Sequence, residues 1–339
     1  MSARVRRSWQ RRGAPAWLLW PLSVLYGALV AVRRALYHHG VLRGERLPVP
    51  VIVVGNVVAG GAGKTPVTLA LLAHLQRQGW HPAVISRGYG RRTTDGRAVR
   101  PDSGAREVGD EPLLIARRGG VPVFVDRDRA RAGRALLAAH PEVDIVVCDD
   151  GLQHLALARD LELCVFNEQG VGNGWLLPAG PLREPWPRAV DAVLYQGDAP
   201  RAGAAPTFAL TRALADEALD ATGQTTPLTA LGAAPLVALA GTARPEEFFA
   251  MLRARGLHPA REVALPDHYD FDGWKRPPDK RERIICTEKD AVKLWPRHPD
   301  VLAVALQVRI APAFYRWLDT RLASLSSTSA GEPHGPETA

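Results

Sequence analysis

Residues 51–66 read VIVVGNVVAGGAGKTP: an apolar run, a glycine-rich turn, then a lysine and a threonine. The β-branched run Val51–Val54 predicts a buried strand. The segment that follows, KTPVTLALLAHLQRQ over residues 64–78, repeats apolar residues at Val67, Leu71, Leu72 and Leu75. That is helical spacing, and Gly79 stops it. Strand, glycine loop and helix in this order make a phosphate cradle, because glycines let successive backbone N–H groups converge at the positive end of the helix. The G-x-x-x-x-G-K-[ST] pattern is met at Gly63, Lys64 and Thr65, but Val58 holds the place of its first glycine. Gly60 and Gly61 supply the turn instead, a spacing that resembles a variant ATPase loop. That variant carries a second lysine where this chain has Ala59. A glycine-rich turn with an incidental lysine is the plainer alternative. The order of elements favours a nucleotide site in which Gly60, Gly61, Ala62, Gly63, Lys64, Thr65 and Pro66 surround the phosphates. Lys64 reaches the β- and γ-phosphates and the Thr65 hydroxyl ligates Mg2+.

Outward from this loop, short apolar runs alternate with helical segments. Strands are expected at Pro82–Ser86, Pro122–Val125 and Asp144–Cys148, and helices near Glu111–Arg118 and Asp128–Ala139. Such alternation predicts an α/β fold, a P-loop NTPase-like doubly wound parallel sheet over about residues 46–196. Residues 197–234 are rich in Ala, Thr, Asp and Pro with weak periodicity, and are read as a linker. A second, smaller α/β domain is expected over 235–324. Its strands fall at Leu236–Ala240, Arg283–Cys286 and Val301–Val308, and its helices at Pro245–Arg255 and Glu288–Leu294. Residues 325–339 have the composition of a disordered tail.

The chain has 339 residues, is 46% hydrophobic and carries a formal charge of +8, which excludes a disordered protein and favours anionic partners. The first 46 residues are rich in Arg and hold one acidic residue, Glu45. Within them, Ala14–Val32 is uncharged and nineteen residues long, against the roughly 20 needed to cross a bilayer. Pro21, Trp17, Trp20, Tyr26 and the flanking arginines suit a helix at the headgroup level, so residues 1–45 are read as a membrane-associated segment. A cleaved signal and a helix packed on its own domain are the alternatives. The three cysteines, Cys148, Cys164 and Cys286, lie far apart in sequence and indicate neither a disulfide framework nor a zinc site.

Asp149-Asp150 follow the apolar run Ile145–Cys148 and lead into Gly151-Leu-Gln153-His154, so a carboxylate at a strand end is available to Mg2+. An Asp pair that merely ends a strand is the alternative. A second cluster, Gly109-Asp110-Glu111-Pro112, opens a helix. Phosphoryl transfer to an alcohol also needs a base and a cation. Asp110 and His268 are candidate bases; Arg87 and Arg183 are candidate cations.

The blocks GNVVAGGAGKTP, ISRGYGRR, VGDEPLLIARR, VCDDGLQH, NGWLLPAGPLREP, PDHYDF and CTEKDAVKL, in this order, resemble the tetraacyldisaccharide 4'-kinases of lipid A biosynthesis. The resemblance implies transfer of the γ-phosphate of ATP to the 4'-hydroxyl of a tetraacyldisaccharide 1-phosphate, with Mg2+, at the cytoplasmic face of the inner membrane. It implies that Asp110 is the catalytic base, supported by His268, and that Arg183 contacts phosphate or substrate. Glu111, Gln153 and Thr65 would assist Asp149 or Asp150 at the metal, and Asn56, Arg87 and Tyr89 would face the acceptor. Tyr269 stands where the family often has a second His. Two rivals differ in class. A P-loop ATPase or GTPase serving a partner protein would hydrolyse nucleotide without lipid. A membrane-tethered nucleic-acid binder would need interleaved basic and aromatic residues; none form a recognisable module, so nucleic acid is not an expected partner. The sequence sets no oligomeric state.

Overall fold

The computed structural model describes residues 9–61, 63–233, 235–276, 279 and 281–329. Helix α1 (Ala14–His38) leads to β1 (Val51–Gly55), α2 (Lys64–Arg77), β2 (Pro82–Ser86), β3 (Arg97–Val99), the short α3 (Ala105–Val108) and α4 (Asp110–Gly119). Next come β4 (Val123–Val125), α5 (Arg129–Ala139), β5 (Ile145–Asp149), β6 (Leu161–Phe166) and β7 (Ala192–Tyr195). They are followed by β8 (Thr207–Leu219), β9 (Thr225–Pro227), a 3-10 turn at Leu228–Ala233, β10 (Leu236–Ala240) and α6 (Pro245–Ala254). The last elements are β11 (Arg261–Ala264), β12 (Arg283–Thr287), α7 (Glu288–Leu294), β13 (Leu302–Ile310) and α8 (Pro312–Ser329).

β1 sits between β5 and β6, both parallel to it, with Ile52 opposite Val147 on one side and Leu161 on the other. Its residues are all buried because both faces of the sheet are covered, which explains an unbroken apolar run where a half-exposed strand would alternate. Ile52 and Val54 pack with Val67, Leu71 and Leu75 of α2 and Leu113 of α4, while Val51 and Val53 pack with Ala130 and Leu136 of α5 on the opposite face. Asp128 caps α5 by accepting from Ala130 N and Arg131 N, as a short polar side chain at an N-cap does.

The strand order is β11-β10-β12-β13-β8-β7-β6-β1-β5-β2-β4-β3, so both lobes share one sheet. The segment expected as a linker differs most from its sequence reading. Residues 207–209 pair parallel with β7, and the rest of β8 pairs antiparallel with β13, so this single strand hands the sheet from one lobe to the other. The chain's end differs too: α8 runs to Ser329, beyond the expected start of a tail, and residues 330–339 lie outside the described ones. It packs on the first lobe, where Phe314, Leu318 and Leu322 join the α2 and α4 core, so the partition at 324 does not follow the packing.

Candidate active site

The loop after β1 enters α2 through Gly63 at φ 71°, in the left-handed region that a side chain would strain. A Cβ there would run into Nη2 of Arg212, so glycine also admits that guanidinium from β8. Lys64 Nζ stands 3.3 Å from Asn56 Oδ1 and 3.3 Å from Asp150 Oδ1. Asn56 is fully buried and donates to Val58 O at 2.7 Å, folding the loop back on itself. The Gly61 carbonyl accepts from Asn167 at 3.0 Å and from Arg244, on the turn before α6, at 2.8 Å. Thr65 is buried in the first turn of α2, and Pro66 follows it where a backbone N–H would have no helical partner. Ala62 lies outside the described residues.

Beyond β5, Asp149 accepts from Thr68 Oγ1 at 3.1 Å and is almost fully enclosed. Burial, reinforced by the negative charge of Glu111, pushes its carboxyl up to about 7 against the pull of Lys64. Burial acts on Asp150 as well, but Lys64 and Arg183 outweigh it and hold this carboxyl below its usual value. Asp150 adopts φ 53°, rare for a residue with a side chain, and the turn is pinned by its N–H donating to Val54 O at 2.8 Å. Arg183 Nη1 lies 3.3 Å from Asp150 Oδ1. Gln153 is engaged elsewhere: its amide donates to Asn56 O at 3.0 Å and to Glu184 at 2.6 Å. Its amide nitrogen is thus turned to the loop and Glu184, and its oxygen lies 3.5 Å from Arg183, the same guanidinium that meets Asp150.

The donor set fits Mg2+. A hydroxyl at Thr65 and hard carboxylates at Asp149, Asp150 and Glu111 are the ligand types it takes. The raised Asp149 carboxyl marks like charges in a buried place, which a divalent cation relieves. Among the described residues no three His, Cys, Asp or Glu form a metal cage; Mg2+ ordinarily keeps water and phosphate among its ligands.

The second lobe supplies the other wall. Facing it, α4 of the first lobe is entered through Gly109, φ 94°, where a Cβ would come within 3.1 Å of Tyr89 O; this tight passage sets Asp110 at the helix start. His268 Nδ1 lies 3.0 and 3.1 Å from the two Asp110 oxygens. Lys293 Nζ approaches Asp110 at 3.4 Å, and Lys289 Nζ approaches Glu111 at 3.2 Å. Burial would raise the Asp110 carboxyl, but His268, Lys289 and Lys293 outweigh it and hold it well below the usual carboxylate range. His268 has φ 60°, and its N–H donates to Gly241 O at 3.2 Å. The Tyr89 ring is 5.1 Å from that of His268, with Tyr89 otherwise exposed; Arg87 is exposed two residues before it.

Sequence reading missed several groups here. Glu184 is buried and binds Gln153, Arg34 and Arg188, though it is the neighbour of Arg183 in a quoted block. Arg212 and Arg244 reach the phosphate loop from strands and turns that carry no motif. Lys289 and Lys293 lie in a quoted block, but only the fold reveals what they face.

The profile of the tetraacyldisaccharide-1-P 4'-kinase family matches residues 15–323. The tetraacyldisaccharide 4'-kinase of Acidovorax sp. (strain JS42) is 71% identical over 328 residues, 97% of each chain. That of Verminephrobacter eiseniae (strain EF01-2) is 61% identical over 318 residues, 93% of this chain and 74% of the relative. Among solved structures, "apo" form LpxK from Aquifex aeolicus in complex with ATP superposes with a TM-score of 0.79 at 29% identity, covering 90% of this chain and 99% of that one. With a match along nearly its whole length, the chain belongs to the tetraacyldisaccharide-1-P 4'-kinase family.

Proposed function

We propose that this kinase moves the γ-phosphate of ATP to the 4'-hydroxyl of a tetraacyldisaccharide 1-phosphate, the lipid A precursor, at the cytoplasmic face of the inner membrane. The amides of residues 60–65 bind the phosphate tail, and Lys64 exchanges its Asp150 partner for phosphate oxygens. Thr65 and Asp149, with Asp150 and Glu111 near them, would hold Mg2+, which would neutralise charge on the transferring phosphate. Asp110 accepts the proton of the acceptor hydroxyl, His268 orients it, and Arg183 meets charge on the transferring group. Arg87 and Tyr89, both exposed, face the sugar and its 1-phosphate, whereas Asn56, expected there from sequence, is buried and holds Lys64 instead. Family membership sets aside an ATPase acting on a partner protein.

The observation that carries the residue roles is the Asp110–His268 pair, 3.0 Å apart, with one member from each lobe. Helix α1 supplies the approach to the substrate. A four-chain lipid stays in the bilayer, since each buried CH2 is worth about 0.8 kcal/mol, and α1 leaves its apolar residues exposed beside this site. Incubation with labelled ATP and tetraacyldisaccharide 1-phosphate should yield a bisphosphorylated lipid. Lys64→Ala should abolish the product, and Asp110→Asn should lower turnover by about 10²- to 10⁴-fold. Lipid-independent ATP hydrolysis with no lipid product would refute the transfer, and near-normal turnover by Asp110→Asn would refute its role as base.

A further inference from the structure

Residues 286–294, CTEKDAVKL, close β12 and form α7, and almost every side chain in them has a definite partner. Thr287 caps the helix, accepting from Asp290 N at 3.2 Å. Asp290 is fully buried and accepts from Gly241 N at 2.8 Å, which fixes α7 to the same glycine whose carbonyl holds His268. Glu288 pairs with Arg118 of α4 at 2.5 Å. Ala291, Val292 and Leu294 are core. What remains is Lys289 and Lys293, four apart and so on one face of the helix.

Both ammonium groups point into the Asp110–His268 cluster, with side chains only 17% and 9% exposed. Placing two cations out of water is costly unless carboxylates compensate them. Lys289 Nζ lies 3.2 Å from Glu111, 3.3 Å from Asp267 and 3.3 Å from His268 Nε2. Lys293 Nζ lies 3.4 Å from Asp110 Oδ2 and 3.6 Å from Asp290 Oδ1. It also stands 5.4 Å from the centre of the Phe271 ring. An ammonium can only donate, so His268 Nε2 must accept from Lys289 and the ring proton sits on Nδ1, aimed at Asp110. Lys293 meets the carboxylate from another direction, leaving it little freedom to rotate.

Cohesion of the lobes does not require these contacts. The sheet is continuous through β8, Arg118 binds Glu288, and Arg106 binds Asp270 at 3.2 Å.

We propose that Lys289 and Lys293 are positioning residues for phosphoryl transfer: Lys289 fixes the tautomer and direction of the His268 ring, and Lys293 fixes the orientation of the Asp110 carboxylate. The inference rests on Asp110 being the base and on His268 supporting it. Both lysines act through that pair, so their loss lowers the rate of the chemical step and leaves nucleotide binding, made by the loop after β1, as it was.

The test uses the full-length enzyme with labelled ATP and tetraacyldisaccharide 1-phosphate in mixed micelles. It compares kcat, KM for ATP and melting temperature for Lys289→Met, Lys293→Met, the corresponding Arg variants and Asp110→Asn. Each Met variant should lose about 10²-fold in kcat, the scale of a misplaced reacting group, with an unchanged KM for ATP. The Arg variants, which keep the charge, should recover part of that loss. Should a Met variant melt below the assay temperature, Lys289→Gln and Lys293→Gln serve under the same criteria. Wild-type kcat in the lysine variants beside an inactive Asp110→Asn overturns the inference and leaves the base in place. A rise in KM for ATP at unchanged kcat also overturns it, marking the lysines as mere ties between lobes. Near-normal turnover by Asp110→Asn is a distinct result, since it removes the base itself.

Discussion

Helix α8 buries Phe314 and Leu318 completely, whereas α1, the more apolar helix in sequence, leaves Leu18 81% and Leu29 63% exposed. The apolar positions of α8 follow one another at four-residue steps, Phe314, Leu318 and Leu322, and each finds the α2–α4 face of the sheet. Those of α1, Leu18, Leu22, Leu25, Leu29, Val32 and Leu36, alternate steps of four and three along the length of the helix, and all are exposed. Its other side is held to the 175–184 segment by polar contacts. Ser23 Oγ donates to Leu176 O at 2.9 Å and accepts from Ala179 N at 2.9 Å, and Tyr26 donates to Arg183 O at 2.7 Å. Periodicity therefore announces that a helix needs an apolar neighbour, but not whether that neighbour is protein. A contiguous exposed apolar stripe of this length calls for a partner, and under the proposed function that partner is the bilayer.

The contrast breaks if the helices respond alike to truncation. Phe314→Ala should cost about 3–5 kcal/mol, the range for a buried aromatic, read as a fall in melting temperature. An unchanged melting curve would mean that α8 is not part of the core. Replacing Leu25 and Leu29 together by Ser should leave the soluble fold within about 0.5 kcal/mol. The same pair should weaken binding to anionic vesicles by roughly 2 kcal/mol, about 30-fold. A melting shift as large as that of Phe314→Ala, with unaltered vesicle binding, would place the stripe against protein.

The same distinction explains which parts of the molecule the sequence disclosed. The phosphate loop was legible because strand, turn and helix are contiguous from Val51 to Arg77, and Asp149-Asp150 were legible because parallel strands bring their carboxyl ends together. Helix α4 and strands β2, β4, β5, β10, β12 and β13 followed from apolar runs with clear periods, whereas β3, β6, β7, β9 and β11 were not read from sequence. β8 was missed for a physical reason. Leu210, Leu214 and Ala218 are its buried residues, with Arg212 and Asp216 at the intervening positions of the same face, so the apolar signal recurs only every fourth residue, too sparse to mark a strand within the Ala-, Thr-, Asp- and Pro-rich stretch read as a linker. Arg212 shows the cause of that interruption: its guanidinium leaves the hydrophobic layer to reach Gly63, and burial, followed by the nearby charge of Arg244, lowers it to about 10. Lys289 and Lys293 were illegible as site residues because their partners are on α4 and on the loop at 266–271, brought near only by tertiary packing.

Polar seating of α1 sharpens the comparison at smaller scale. Ser23→Ala removes a donor to Leu176 O and leaves Ala179 N without its acceptor, a cost of about 1–2 kcal/mol confined to the 175–184 segment. Hydrogen exchange at the Ala179 amide should accelerate while the amides of β1 and β5 stay protected. Uniform acceleration would mean that α1 and the sheet unfold as one unit.

Arg34 gives the smallest effect. Its guanidinium meets Glu184 at 3.3 Å from a side chain 38% exposed, while Glu184 is 5% exposed. A buried carboxylate losing its sole cation would be costly, but Glu184 keeps Gln153 at 2.6 Å and Arg188 at 3.1 Å, the latter more enclosed than Arg34. Arg34→Met should therefore cost less than about 1 kcal/mol, as for an exposed ion pair, and should shift melting less than Ser23→Ala does. A larger loss would show that Arg34 carries the buried charge, and that electrostatics rather than the Ser23 hydroxyl seats this helix on the site.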